Sequence, residues 1–190
     1  MLFRSLQWSE FVLAERLQAA LTKSAGYTVW IPLSREEKGV DLAILKRTKD
    51  CVSQTATIQV KASRTYRTDE PKRPDTQRHA FHTWFNRFHV SDDADFFLLY
   101  GQYAPDVART RKVGATWYRD MTLLFTNAEM RDFMQNCKTV GGNDDPMFGF
   151  GFDDDSKIVQ IRGDSAREQK DFTDRLLGKR IQLLKDALGA

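Results

Sequence analysis

An acid, an amide and an amine lie near the ends of two neighbouring apolar runs of the sequence. The first run, Val40–Leu45, has Asp41 near its start, and the second, Thr55–Ala62, reads TATIQVKA and contains Gln59 and Lys61. Because side chains alternate between the two faces of a strand, Gln59 and Lys61 should share a face, two residues apart. The polar stretch between the runs favours a hairpin with a long loop. In such a hairpin the three polar groups converge.

These groups suit metal-assisted hydrolysis of a phosphodiester. Mg²⁺, with Mn²⁺ as a substitute, takes one or two carboxylates together with neutral oxygens. Asp41 would supply the anionic oxygen, Gln59 its amide oxygen and Val60 its backbone carbonyl. The cation would neutralise charge on the phosphate and lower the pKa of a bound water, while Lys61 orients that water or stabilises the transition state. The alternative is structural, because an isolated Asp and Lys at strand ends are usually solvated, and spacing alone favours that interpretation.

A helix predicted over residues 9–25 carries two candidate carboxylates. Leucines recur every fourth residue from position 13 to position 21 and form one apolar stripe. At about 100° per residue, Glu10 falls on this stripe and Glu15 points nearly opposite. Glu10 is therefore the candidate for a further ligand, direct or through water. A favourable interaction with the helix dipole explains an acid in the first turn equally well.

Basic and aromatic residues follow Lys61 directly. The segment 63–78 is polar and contains two prolines, so it is predicted to be a loop. Within it, Arg64, Tyr66 and Arg67 are candidates for gripping a nucleic-acid backbone beside the site. Arginines in polar loops are just as commonly only solvated.

The other segments predict an α/β fold. Strands are expected at residues 27–33, 95–100, 122–126 and 157–163, helices at 127–137 and 167–188, and a solvated, aspartate-rich loop at 141–155, whereas residues 79–88 fit either a helix or a strand. The whole chain, residues 1–190, is expected to form a single domain with a mixed central β-sheet flanked by helices and a long C-terminal helix.

Composition excludes several classes of protein. The chain has 190 residues, 41% of them hydrophobic and 29% charged, which is typical of a globular protein, and its net charge of +3 means that any basic surface is local. It has neither a bilayer-spanning run nor an apolar leader, so a cytoplasmic location without membrane contact is expected. Cys51 and Cys137 are too far apart for a thiol metal motif. His79, His82 and His89 are expected to be surface or stacking residues rather than zinc ligands.

The order of elements resembles a known nuclease core. A helix with Glu10, a strand, a strand beginning at Asp41 and a strand reading Gln59-Val60-Lys61 are similar to the PD-(D/E)xK nuclease superfamily, over about a third of the chain. The resemblance implies the restriction-endonuclease-like fold (αβββαβ), Mg²⁺-dependent cleavage of DNA and pairing of two copies.

The sequence departs from the superfamily motif at two positions. Val40 replaces the motif's proline, and Gln59 replaces an acid, as in some lineages of the superfamily. The implied function is therefore an endonuclease or, alternatively, a catalytically inactive nucleic-acid-binding or assembly module on the same fold. A third hypothesis is a partner-binding protein that dimerises through its C-terminal amphipathic helix.

Overall fold

The computed structural model describes residues 8–32, 39–48, 53–68, 79–104, 118–153, 157–163 and 170–189. In chain order the helices and strands are α1 (Trp8–Ala20), β1 (Tyr27–Trp30), β2 (Leu42–Arg47), β3 (Ser53–Arg67), β4 (Phe81–Asn86), β5 (Phe96–Tyr103), β6 (Arg119–Thr126), α2 (Asn127–Asn136), β7 (Met147–Phe152), β8 (Val159–Gln160) and α3 (Leu177–Ala187).

One mixed sheet is built around the long strand β3. Along its length β3 pairs first with β2 (antiparallel), then with β5 (parallel) and finally with β4 (antiparallel). Strand β1 adds to β2, β6 adds to β5, and β7 and β8 continue from β4. The α/β class and the mixed sheet are confirmed. The described chain departs from the expected αβββαβ order, because β4 lies between β3 and β5 and because α2 follows β6. The prediction of a long C-terminal helix over 167–188 is wrong, because α3 begins only at Leu177.

Apolar side chains cover both faces of this sheet. The cluster to which a residue of β3 belongs shows which face its side chain occupies. On the α1 face, Leu13 of α1 and Leu184 of α3 are fully buried in a cluster that includes Val60. On the opposite face, the α2 face, Phe133 of α2 packs among phenylalanines of β6 and β7. Because side chains alternate along a strand, Gln59, next to Val60, lies on the α2 face.

Two segments predicted as loops contain strands. Residues 65–67 pair with β4, so β3 continues beyond the predicted loop start at Ser63, whereas residues 69–78 lie outside the described residues. In the aspartate-rich segment, β7 buries alternate phenylalanines, and Asp145 is 3% exposed and accepts a hydrogen bond from Arg162 Nε at 2.9 Å. A buried, paired carboxylate replaces the predicted solvated one because Arg162 neutralises it.

Helix α2 begins with a capping box. Thr126 Oγ1 accepts the Glu129 N–H at 3.2 Å, and the Glu129 carboxylate accepts the Thr126 N–H at 2.9 Å. Asn127, where the predicted helix was expected to begin, is the first residue of α2 and not its cap. The Asn127 amide instead donates to the carbonyls of Ser91 and Ala94 at 2.8 Å and 2.7 Å, which ties α2 to the segment before β5.

Glu129 also joins α2 to the C-terminal part of the chain. Its carboxylate accepts two hydrogen bonds from Arg180 of α3, both at 2.7 Å, and pairs with Arg175. Burial opposes ionisation of this carboxyl, but the hydrogen bonds from Arg180, Thr126 and Arg175 outweigh it and lower the pKa of Glu129 to about 2.

Replacing Glu129 by glutamine is expected to lower the free energy of unfolding by about 2 kcal/mol near neutral pH, because charge-assisted bonds at the cap are weakened. The folded-state pKa lies below the ordinary 4.5, so this stabilisation is complete above pH 4.5 and is lost as the pH falls towards 2. Urea unfolding at neutral and acidic pH should show the difference from the native protein shrinking in acid. Glu15→Gln, at an exposed position of α1, is the control and should be neutral at both pH values.

Candidate active site

The Asp41 carboxylate fixes the backbone of β3 at the point where β2 begins. The Asp41 N–H donates to the Ile58 carbonyl at 2.9 Å, and the Val60 N–H donates to Asp41 Oδ2 at 2.7 Å. The register between β2 and β3 ends at the pair Leu42 and Ile58, so the Asp41 side chain replaces a backbone carbonyl as the partner of Val60. The predicted hairpin is confirmed, and it brings Asp41 beside Val60.

Beyond this contact, one edge of β3 has no neighbouring strand in the described ranges. Strand β5 pairs along residues 58–64 on one edge, but pairing with β2 stops at Ile58 and pairing with β4 starts at Thr65. We call the stretch between them, residues 59–64 on the side away from β5, the open edge. The N–H and C=O of one strand residue point to the same edge, so the Val60 carbonyl also lies beside Asp41. A ligand at the open edge is accessible to side chains from both faces of the sheet.

Gln59 presents a buried polar atom that lacks a partner. The residue is 8% exposed, and its Oε1 accepts no hydrogen bond in the described part of the chain. A Cβ built on Gly39 would lie 3.7 Å from Gln59 Nε2 and 2.5 Å from Ser91 Oγ, so the amide lies beneath the turn that leads to Asp41. An unsatisfied buried acceptor costs about 1–3 kcal/mol. A bound donor or cation beside Gln59 Oε1 would remove that cost.

Lys61 lies on the same face as Gln59, as the alternation predicted. Its side chain is half-buried, and Nζ lies 5.0 Å from the centre of the Phe88 ring. Nζ forms no hydrogen bond or ion pair with any residue of the described segments. The long side chain of Lys61 therefore packs with its charged end close to an aromatic ring.

Glu10 occupies the apolar stripe of α1, as expected, and is 4% exposed, whereas Glu15 is exposed. Helix α1 packs on the α1 face, and Gln59 and Lys61 point to the α2 face. Glu10 therefore lies on the face opposite to Gln59 and Lys61, so the predicted site residues do not share one face. The region common to both faces is the open edge beside Asp41, which is where Glu10 would have to act.

The three residues predicted to bind nucleic acid are exposed and belong to β3 rather than to a loop. By alternation Arg64 and Tyr66 lie on the α1 face, whereas Arg67 lies on the α2 face with Lys61. Neither arginine forms an ion pair with another described residue. Positive charge thus flanks the open edge on both faces instead of forming one patch.

One prediction about the histidines is wrong. His82 is 7% exposed and shares a hydrogen bond with Thr68 Oγ1 at 2.8 Å, and burial and the neighbouring His79 lower its pKa. His89 is exposed, as expected. Within the ranges described, no three His, Cys, Asp or Glu side chains group as ligands of a metal ion. Cys137 is buried, which raises the pKa of its thiol to about 11, and Cys51 lies outside the described residues.

Sequence reasoning missed two structural supports of the site. Phe88, which packs on Lys61, follows a strand that the sequence left ambiguous. Asp95 Oδ2 accepts the Thr57 N–H at 2.8 Å, so a second aspartate fixes β3 from the β5 side. The available signal was an aspartate immediately before an apolar run, the same signal that pointed to Asp41.

Comparison of the chain with protein-family models, with curated proteins and with solved structures gives no match. The proposals below therefore rest on the residues and their geometry. No helix in the described ranges combines the length and the apolar character needed to cross a bilayer.

Proposed function

We propose that the protein hydrolyses phosphodiester bonds of DNA with a divalent cation, Mg²⁺ or Mn²⁺, at the open edge of β3. The arrangement around Val60 carries this proposal. The Asp41 carboxylate binds the Val60 N–H, the buried oxygen of Gln59 has no described partner, and the ammonium group of Lys61 has no described counter-ion. A phosphate group together with a hard cation would complement all three groups.

The donor set suits a hard cation. Asp41 Oδ1, which accepts no hydrogen bond from a described residue, would hold it together with Gln59 Oε1 and the Val60 carbonyl. One or two carboxylates with neutral oxygens and water are the ligands that Mg²⁺ ordinarily has in proteins. When bound, the cation neutralises charge on the phosphate and lowers the pKa of water.

The remaining side chains would position the substrate. Lys61 would bind a phosphate oxygen or orient the attacking water, since its ammonium is a compact charge on a stem already packed against Phe88. Glu10 would act from the α1 face, through water. Arg64 and Arg67 would hold flanking phosphates on either face of the open edge.

Incubation of labelled DNA with the purified protein tests the proposal. Cleavage in Mg²⁺ or Mn²⁺, and none in EDTA, is expected. Intact DNA under all of these conditions would contradict it.

Replacing Gln59 by glutamate is expected to lower the Mg²⁺ concentration for half-maximal cleavage about tenfold, because a second carboxylate beside Asp41 raises the affinity for the cation. Without metal, the half-buried carboxylate of Asp41 and the new carboxylate at the buried position 59 repel each other, so this variant should melt at a lower temperature than the native protein. Adding Mg²⁺ should restore most of the loss. Thermal melts with and without Mg²⁺ measure this independently of activity.

Gln59→Leu is the matched variant for this test. It keeps the approximate volume and removes the amide oxygen, so half-maximal cleavage should require more Mg²⁺ while the fold is preserved. Equal Mg²⁺ requirements for the native protein, Gln59→Glu and Gln59→Leu would exclude Gln59 as a ligand.

A nucleic-acid-binding module without catalysis is the second candidate. The observation that favours it is Gln59 in the place of an acid, next to cations without described partners at Arg64 and Arg67. DNA binding that weakens steeply with salt, without cleavage in any divalent cation, would support this alternative. Dimerisation through the C-terminal helix has less support, because Leu177, Leu184 and Leu188 are buried in the protein's own core.

A further inference from the structure

A groove on the α1 face adjoins the open edge. Its volume is about 590 Å³, within the size range of small-molecule sites, and it lies between the start of α1 and the ends of β3 and β5. Trp8 of α1, Arg64 and Tyr66 of β3, and Tyr100 and Gln102 of β5 contribute to its walls. We call it the aromatic groove.

Two aromatic rings of this groove are open to solvent. Trp8 is 62% exposed and Tyr66 is 55% exposed, although on average tryptophan is a highly buried residue type and tyrosine an intermediate one. Exposed aromatic residues around a concave surface mark a place where a flat ligand can stack.

The groove also contains a buried hydroxyl group without a partner. Tyr100 is 3% exposed, and its Oη makes no hydrogen bond in the described chain. Burial, and secondarily the nearby Asp120, raise the pKa of Tyr100 to about 12, so the phenol remains neutral and can both donate and accept. A ligand with a polar edge would satisfy this group.

The remaining polar groups indicate a nucleobase attached to a phosphate. The Gln102 amide and the Tyr100 hydroxyl can pair with the donors and acceptors on the edge of a base. Arg64, exposed and without a described ion-pair partner, supplies the single positive charge that a neighbouring phosphate requires. In a duplex the faces and pairing edges of a base are already occupied, so only an unpaired base can enter.

We propose that the aromatic groove binds an unpaired nucleobase next to the phosphodiester at the open edge, so that the substrate is single-stranded DNA or DNA with unpaired bases. This inference rests on the proposed function for the position of the cleaved bond. From Val60 to Arg64 the distance along β3 is about 13 Å at roughly 3.3 Å per residue. The base held in the groove is therefore a near neighbour of the bond at the open edge.

Equilibrium binding of DNA in EDTA, where no cleavage is expected, tests whether the aromatic groove binds an unpaired base. The probes are a fluorescein-labelled 20-nucleotide single strand, its blunt duplex and the same duplex with a single-stranded tail. The native protein should bind the single strand and the tailed duplex about tenfold more tightly than the blunt duplex. Trp8→Ala and Tyr66→Ala should each weaken binding to the single strand about five- to 100-fold, the effect of losing one base stack. Trp8→Phe should retain most of the affinity, because it keeps a stacking ring.

The control variant is Trp30→Ala. Trp30 is 55% exposed on β1 and is absent from the groove, so its loss should change the affinity less than twofold. Tyr100→Phe removes only the unpartnered hydroxyl and should weaken single-strand binding about fivefold without lowering the melting temperature.

The outcomes separate this inference from the proposed function. Two results would contradict base binding by the aromatic groove even if metal-dependent cleavage is found. One is a preference of the native protein for the blunt duplex, and the other is equal affinity of Trp8→Ala, Tyr66→Ala and Trp30→Ala for the single strand. Groove-dependent binding without any cleavage would support the groove as a base-binding site and contradict only the hydrolytic activity.

Discussion

Replacement of Lys61 by alanine is expected to reduce the rate of metal-dependent DNA cleavage by about 100- to 1,000-fold. The Lys61 ammonium has no described counter-ion, and removal of one preorganised group that stabilises charge in the transition state has an effect of this size. The half-maximal Mg²⁺ concentration should change little, because Lys61 supplies no oxygen to the cation. Single-turnover cleavage of labelled DNA over a range of Mg²⁺ concentrations measures both quantities.

Lys46→Ala is the matched control for this variant. Lys46 lies on the neighbouring strand β2 and also covers an aromatic ring, with Nζ 3.9 Å from the centre of Tyr27, but it donates a 2.8 Å hydrogen bond to the Ala25 carbonyl. It should be dispensable for cleavage because its ammonium is already engaged. Equal cleavage by the native protein and Lys61→Ala would exclude Lys61 from the reaction.

Replacement of Asp41 by asparagine is expected to lower cleavage by about 1,000-fold, corresponding to about 4 kcal/mol of transition-state stabilisation. Asparagine retains an oxygen that can accept the Val60 N–H, so the local backbone should stay in place while the anionic ligand is lost. In contrast to Lys61→Ala, this variant should also lose affinity for Mn²⁺. Its melting temperature without metal should stay close to that of the native protein.

Asp95→Asn is the matched control for Asp41→Asn, because both aspartates fix the backbone of β3. Like Asp41, Asp95 immediately precedes a strand and accepts a backbone N–H of β3, from Thr57 at 2.8 Å, but it lies on the side of β5. Cleavage by Asp95→Asn should remain within a few-fold of the native rate. If Asp41→Asn and Asp95→Asn reduce cleavage equally, Asp41 acts only as a structural clamp.

Local patterns in the sequence were sufficient for part of the candidate site. The leucine stripe of α1 identified Glu10 as the buried acid, and strand alternation put Gln59 and Lys61 on one face. Asp41 at the start of an apolar run was correctly expected beside the next strand. Each of these features depends on residues within a few positions of one another or on a single hairpin.

The features that the sequence did not reveal depend on contacts between distant segments. The extension of β3 through Arg67 requires pairing with β4, across residues 69–78, and the polar composition of that stretch favoured a loop. The open edge exists because β2 ends before β4 begins, which no local pattern encodes. The division of Glu10 and Lys61 between two faces was missed for the same reason, since it depends on which face α1 covers.

The position of a bound cation tests the central claim most directly. In crystals soaked with Mn²⁺, anomalous scattering should reveal an ion at the open edge, coordinated by Asp41 and Gln59 Oε1 and close to the Val60 carbonyl. The same soak of Asp41→Asn crystals should show no ion there. An ordered native site at saturating Mn²⁺ that contains only water, or an ion bound elsewhere while Gln59 Oε1 stays unpartnered, would contradict the account.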